Sequence, residues 1–132
     1  MQNLDLKNKA PNGKTTKEYI EQVLNQLLSD YQKTKKERHQ IALWEESQEF
    51  TILGVIEIFT TDIRGYAFQV IANDSLENNQ EIVDNLRKLK IFEIPYFTQW
   101  YFSTESDYPH IKRYVETLNY LRLLIIEYIS EC

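Results

Sequence analysis

The chain's only imidazoles and thiol are His39, His110 and Cys132, and none of the three sits in a catalytic pattern. Nucleophilic catalysis needs a nucleophile with a base in reach. His39 closes the charged run Lys33–His39, His110 follows Pro109 where a helical pattern opens, and Cys132 is the terminal residue. Surface and capping roles fit both histidines. The three glycines, Gly13, Gly54 and Gly65, are too far apart to form a glycine-rich phosphate loop. Carboxylates cluster at Glu45, Glu46, Glu49 and Glu57, and again at Glu105 and Asp107, but without a histidine at ligand spacing. Such groups read as solvated helix ends. No catalytic, cofactor-binding or metal-ligating residue is assigned, no cofactor is called for, and the chain is expected to be non-enzymatic.

Two other chemistries have partial support. Small metal-dependent nuclease cores often begin with a helix and a hairpin carrying acidic residues, which Glu18, Glu57 and Asp62 could supply. The usual Asp/Glu-x-Lys element is missing from that region: the chain has it only at Asp5-Leu6-Lys7, and the second strand offers Gln69 without a lysine. That leaves a catalytically degenerate nuclease-like domain as one alternative. Nucleic-acid binding could draw on Lys35, Lys36 and Arg38 in the 33–38 basic run and on the aromatic run Tyr96–Phe102, since cations with stacking rings are what single strands require. Against it, Glu37 interrupts the run, Lys33 and Glu37 form an i,i+4 pair suited to a helix surface, and no basic residue lies among the rings.

The composition sets limits on these readings. The 132 residues carry 15 Lys+Arg against 20 Asp+Glu, a formal charge of −5. An acidic balance argues against nucleic acid and anionic membrane as partners, because phosphate affinity comes mainly from Lys and Arg. A single cysteine excludes an intramolecular disulfide and points to a reducing, cytoplasmic compartment. The polar first residues are no signal peptide. The longest apolar stretch, Phe50–Phe59, contains Glu57 and is about half what a membrane-crossing helix needs. Glycine and proline are scarce, three of each, or about 5% of the chain where ordinary usage is about 12%. This excludes collagen-like, linker-like and turn-rich all-β chains.

The elements follow from punctuation and periodicity. Residues 1–14 form a flexible polar leader, and 15–132 a single domain. Thr15-Thr16-Lys17-Glu18 reads as a helix start, followed by Ile20, Val23, Leu24, Leu27, Leu28 and Tyr31 on one stripe. Continued to Glu46, this helix would be about 46 Å long in a domain roughly 36 Å across. It must either break near the basic run or project and be covered. Phe50–Thr61 and Tyr66–Ala72 are rich in β-branched and aromatic residues around Asp62-Ile63-Arg64-Gly65, which reads as a β-hairpin. A cap at Asp74–Glu77 precedes a short helix through Ile82, Val83, Leu86 and Leu89. Ile91–Ile94 reads as a third strand ended by Pro95, and Tyr96–Phe102 as a further extended segment. Ser106 or Asp107 can cap a last helix with Pro109 in its first turn. From Leu121 to Ile129 that helix is apolar nearly all round, so it must be covered all round.

The expected fold is therefore α+β: a long N-terminal helix, a β-hairpin, a short helix, a third strand and a long apolar C-terminal helix. The over-long first helix and the apolar last one both ask for cover. A protein-interaction module follows, such as a small accessory, inhibitor, immunity or chaperone-like factor, acting as a homodimer or bound to a larger protein. The expected interface is Trp44, Trp100, Tyr101, Leu121, Leu124, Ile125, Tyr128 and Ile129.

Overall fold

In a computed structural model, the structure describes residues 15–45, 52–73, 79–93, 95–104 and 107–131. Helices α1 (Lys17–Lys33), α2 (Lys35–Glu45), α3 (Ile52–Ala72), α4 (Asn79–Lys88), α5 (Pro95–Thr104) and α6 (Pro109–Glu131) follow in order, with a single 3₁₀ turn at Ile91–Glu93 before α5. No strand occurs among the described residues, so the α+β expectation is corrected to an all-helical fold. The proposed leader and the Asp74–Glu77 cap lie outside the described residues.

α1 begins as expected: the Thr16 hydroxyl accepts from the amide of Tyr19 at 3.2 Å, occupying one of the four amides that a helix start leaves open. The long first helix does break, at Thr34. Here the Thr34 amide and hydroxyl both turn back onto the carbonyl of Tyr31, at 3.1 and 2.6 Å. Its own carbonyl accepts from the Arg38 amide to start α2. A buried threonine bonding its own backbone offers the chain an alternative to continuing the helix.

From Ile52 to Ala72 the expected hairpin is instead one uninterrupted helix; Phe50 and Thr51 lie outside the described residues. The buried side chains of α3 are Ile52, Val55, Ile56, Phe59, Thr60, Ile63, Ala67 and Val70, a helical three-and-four spacing rather than a strand alternation. That period was masked because apolar residues, Ile58 and Phe68, also sit on the outward face. β-propensity differences are of order 1 kcal/mol and yield to packing of this extent. Asp62-Ile63-Arg64-Gly65, read as a turn, lies in mid-helix. A Cβ added at Gly65 would meet nothing within 4 Å, so the glycine is neither a chain reversal nor a close packing contact.

Where a third strand is expected at Ile91–Ile94, Ile91–Glu93 form the 3₁₀ turn, which buries Ile91; Ile94 lies outside the described residues. The segment Tyr96–Phe102 is helical within α5, whose first residue, Pro95, takes the position where a missing N–H costs nothing.

Three long helices form the centre. Tyr19 meets Tyr120 through their hydroxyls at 3.0 Å, and Asp30 meets Arg113 at 3.3 Å, so α1 and α6 run antiparallel. Lys17 reaches the carbonyl of Asn73 and Tyr31 reaches Glu57, so α1 is antiparallel to α3 as well. α4 packs on α6, and Arg122 of α6 donates to the carbonyl of Leu86 near the C-terminal end of α4. The apolar side chains facing inward make one continuous core. The buried Tyr114 hydroxyl lies 2.8 Å from the Thr60 hydroxyl, whose own proton goes to the carbonyl of Ile56 at 2.7 Å, so Tyr114 is the donor.

This arrangement also corrects the picture of a last helix apolar all round and in need of outside cover. α6 packs against α1, α3 and α4 of its own chain. Of its apolar residues, Leu123 faces solvent. Among the described residues, no helix is long and apolar enough to cross a membrane.

Candidate functional site

Charged side chains from α1, α2 and α6 meet where the first helix breaks. Asp30, in the last turn of α1, is buried. Gln26, one helical turn earlier, donates to its Oδ1 at 2.8 Å, Arg113 Nε of α6 donates to Oδ2 at 3.3 Å, and Lys33 Nζ stands 3.6 Å from Oδ1. A carboxylate out of water must be paired and hydrogen-bonded to stay charged, and Asp30 is both.

The break at Thr34 redirects α2 so that Glu37 faces the first turn of α6. Its carboxylate accepts from the amide of His110 at 3.1 Å and from that of Ile111 at 2.8 Å. It also meets Nδ1 of His110 at 2.5 Å. The two amides are among those a helix start leaves open, and the negative charge suits the positive end of the helix dipole. An ionised carboxylate only accepts, so Nδ1 carries the proton and Nε2 is the ring nitrogen left for other partners. Pro109 opens the helix without needing an acceptor. The cap expected from Ser106 or Asp107 is thus supplied from another helix, although Ser106 itself lies outside the described residues.

Arg38 holds the break together from the other side. It lies over the ring of Tyr31, 4.0 Å from its centre, and donates to the Tyr31 hydroxyl at 2.8 Å and the Thr34 hydroxyl at 2.9 Å. Tyr31 in turn donates to Glu57 of α3 at 2.7 Å. Burial and the Glu57 charge hold the Tyr31 phenol above its ordinary pKa.

Asp30, Lys33, His110 and Arg113 line a cleft of about 210 Å³. Among the described residues, no group of three His, Cys, Asp or Glu side chains is placed to hold a metal ion.

The interface residues named from the sequence are placed mostly inside the chain. Trp100, Tyr101, Leu121, Leu124, Ile125 and Ile129 are buried in the core, and Tyr128 packs partly buried against it. Trp44 belongs to α2, and its side chain lies outside the described residues. Of the nucleic-acid set, Lys35 and Lys36 are exposed, whereas Arg38 is engaged with Tyr31 and Thr34. The α5 rings form an internal stack: Phe97 lies against Tyr101, and Trp100 against Tyr108. Of the run's described side chains, Phe102 is the aromatic one that faces solvent. The helix-then-hairpin frame behind the nuclease-like alternative is absent from the described residues. Of its acidic residues, Glu57 serves as acceptor for Tyr31.

Sequence reasoning missed Asp30, Glu37 and Arg113, and it set His110 aside. The one local signal was Pro109-His110 at a helix start; nothing near Glu37 in sequence points to a partner 73 positions away. A second feature is hidden when the segment is read as strands. Along the outward face of α3, Gly54, Ile58, Thr61, Gly65, Phe68 and Ala72 recur at alternating four- and three-residue intervals, the spacing of a helix–helix seam.

No protein-family model matches the chain, and no curated protein or solved structure is significantly similar to it.

Proposed function

We propose that this chain is a non-enzymatic protein-interaction module that acts as a homodimer, with the outward face of α3 as its docking surface. The observation that carries this reading is the seam on α3, where Ile58 is 61% and Phe68 51% exposed. Around them the seam is completed by small residues, Gly54, Thr61, Gly65 and Ala72. Ile58 and Phe68 are two large apolar side chains exposed on one outward face with no role in the chain's own core, and apolar surface gathered on one face marks an interaction site.

The occupant is a second copy of the chain. A twofold interface requires that a residue touching another be touched by it in return, and the seam meets this with α3 laid antiparallel on its equivalent. With the axis crossing at the level of Ile63, Ile58 falls opposite Phe68, Thr61 opposite Gly65, and Gly54 opposite Ala72. The small central residues let two backbones approach, while Ile58 and Phe68 supply the apolar contact on either side. The stripe spans about 30 Å of helix at 1.5 Å per residue, enough for a paired-helix contact.

Light-scattering mass of the purified chain, measured over a range of concentrations, tests this. A mass of two chains that Phe68→Glu reduces to one, with the helical circular dichroism intact, supports the reading. A wild-type chain that stays monomeric at high concentration overturns it, as does a dimer that Phe68→Glu and Ile58→Glu both leave intact.

A further inference from the structure

The geometry points to the cleft at the α1–α6 junction as a binding site for a small tetrahedral dianion, the phosphate group, held by Lys33, Arg113 and Nε2 of His110. This is separate from the α3 seam and does not depend on it.

The argument rests on how charge is sorted by depth. The two carboxylates lie behind: the side chain of Asp30 is 3% exposed and that of Glu37 is 9% exposed. The basic groups stand in front, with Lys33 at 61%, His110 at 53% and Arg113 at 39%. The cluster is close to neutral in sum, yet an approaching ligand meets its cationic side. Both carboxylates are committed to fixed donors. Asp30 holds Gln26, Arg113 and Lys33, and Glu37 holds two α6 amides and the His110 ring. Each acid thereby orients a basic group, as anion sites require if their donors are to be set before the ligand arrives. The first turn of α6 is already closed by Glu37, so the site is made of side chains and not of a free helix end.

Size narrows the ligand. A cleft of about 210 Å³ falls below the ~300–1,000 Å³ of pockets for drug-sized ligands. The cleft encloses a phosphate group and has no room to enclose a whole nucleotide. Arg and Lys are the residues that neutralise phosphate oxygens, while the Nδ1–Glu37 bond turns Nε2 to the ligand, where it accepts from the hydroxyl of hydrogenphosphate when the ring is neutral and donates to a phosphate oxygen when the ring is an imidazolium.

The test is a titration of the full chain with inorganic phosphate at constant ionic strength, reading the imidazole NMR signals. His39, exposed on α2, is the internal control. Saturable movement of His110 with His39 unmoved is the expected result. Lys33→Gln, on the exposed side of the cleft, should weaken binding about tenfold (~1.4 kcal/mol) by loss of one charged hydrogen bond. Arg113→Lys keeps a counter-charge for Asp30, so the fold survives, and should also weaken binding. A parallel titration with O-phosphoserine separates the sources: tighter binding assigns the site to phosphomonoesters, and equal or weaker binding to free phosphate. Unsaturated, parallel drift of both histidines overturns the proposal, as does a wild-type response left unchanged by Lys33→Gln and Arg113→Lys together.

Discussion

The Glu37 carboxylate accepts from the backbone amide of Ile111 at 2.8 Å, across 74 positions of sequence. Two helices far apart in the chain are thereby fixed end to side. The same carboxylate closes the first turn of α6 and sets the orientation of the His110 ring.

Glu37→Ala should cost about 1–3 kcal/mol, because two amides and the imidazole lose their acceptor at a site where water replaces it poorly. Glu37→Gln, which keeps a side-chain oxygen, should cost less. Urea denaturation checks this through a lower midpoint with unchanged slope. Equal stability of the alanine variant and wild type would show that the contact contributes nothing.

Gly65→Ala should stabilise the monomer by about 0.5–1 kcal/mol, since glycine in mid-helix carries an entropic cost that alanine avoids, and the added Cβ meets open space. The comparison belongs in the Phe68→Glu background, where assembly does not contribute. Had residues 62–65 formed a reversing turn, the same substitution would destabilise.

Ile125→Ala should cost about 2–5 kcal/mol, the range for emptying a filled core position, because Ile125 is fully covered by its own chain. The loss should be the same in the Phe68→Glu monomer. A loss that vanished there would place Ile125 at a subunit contact.

Tyr114 carries a pH dependence. Its phenol is pushed up to about 12, mainly by burial. The folded-state pKa lies above the unfolded value of about 10, so the neutral phenol's contribution is fully present below pH 10. It is lost as pH rises from 10 towards 12. The wild-type chain should lose on the order of 2–3 kcal/mol more than Tyr114→Phe across that window. Thermal melts of both proteins at half-unit pH steps check it, and parallel curves would refute it.

Much of the helical content was legible because period and caps are local. The stripe from Ile20 to Tyr31 and the Thr16 cap gave α1, and Ile82, Val83 and Leu86 gave α4. The segment 52–72 was not legible by propensity, because Ile, Val, Phe and Thr favour strands only weakly, and the same residues fill a helix buried along one side. With apolar residues on both faces, neither period stood out. The candidate cleft was less legible still: Asp30, Glu37, His110 and Arg113 come from three helices, and no local spacing relates the first two to the last two.

By itself, the sequence determined where α1 and α6 start, that glycine and proline would seldom interrupt the chain, and that a first helix running on to Glu46 would have either to break or to project. These follow from interactions spanning a few residues. Tertiary structure alone decided that α3 is a helix, that α6 is covered by its own chain, and that two carboxylates stand behind three basic groups in one cleft. Each of these depends on burial between distant segments, whose free energy exceeds the local preferences and leaves no mark in any single stretch of chain.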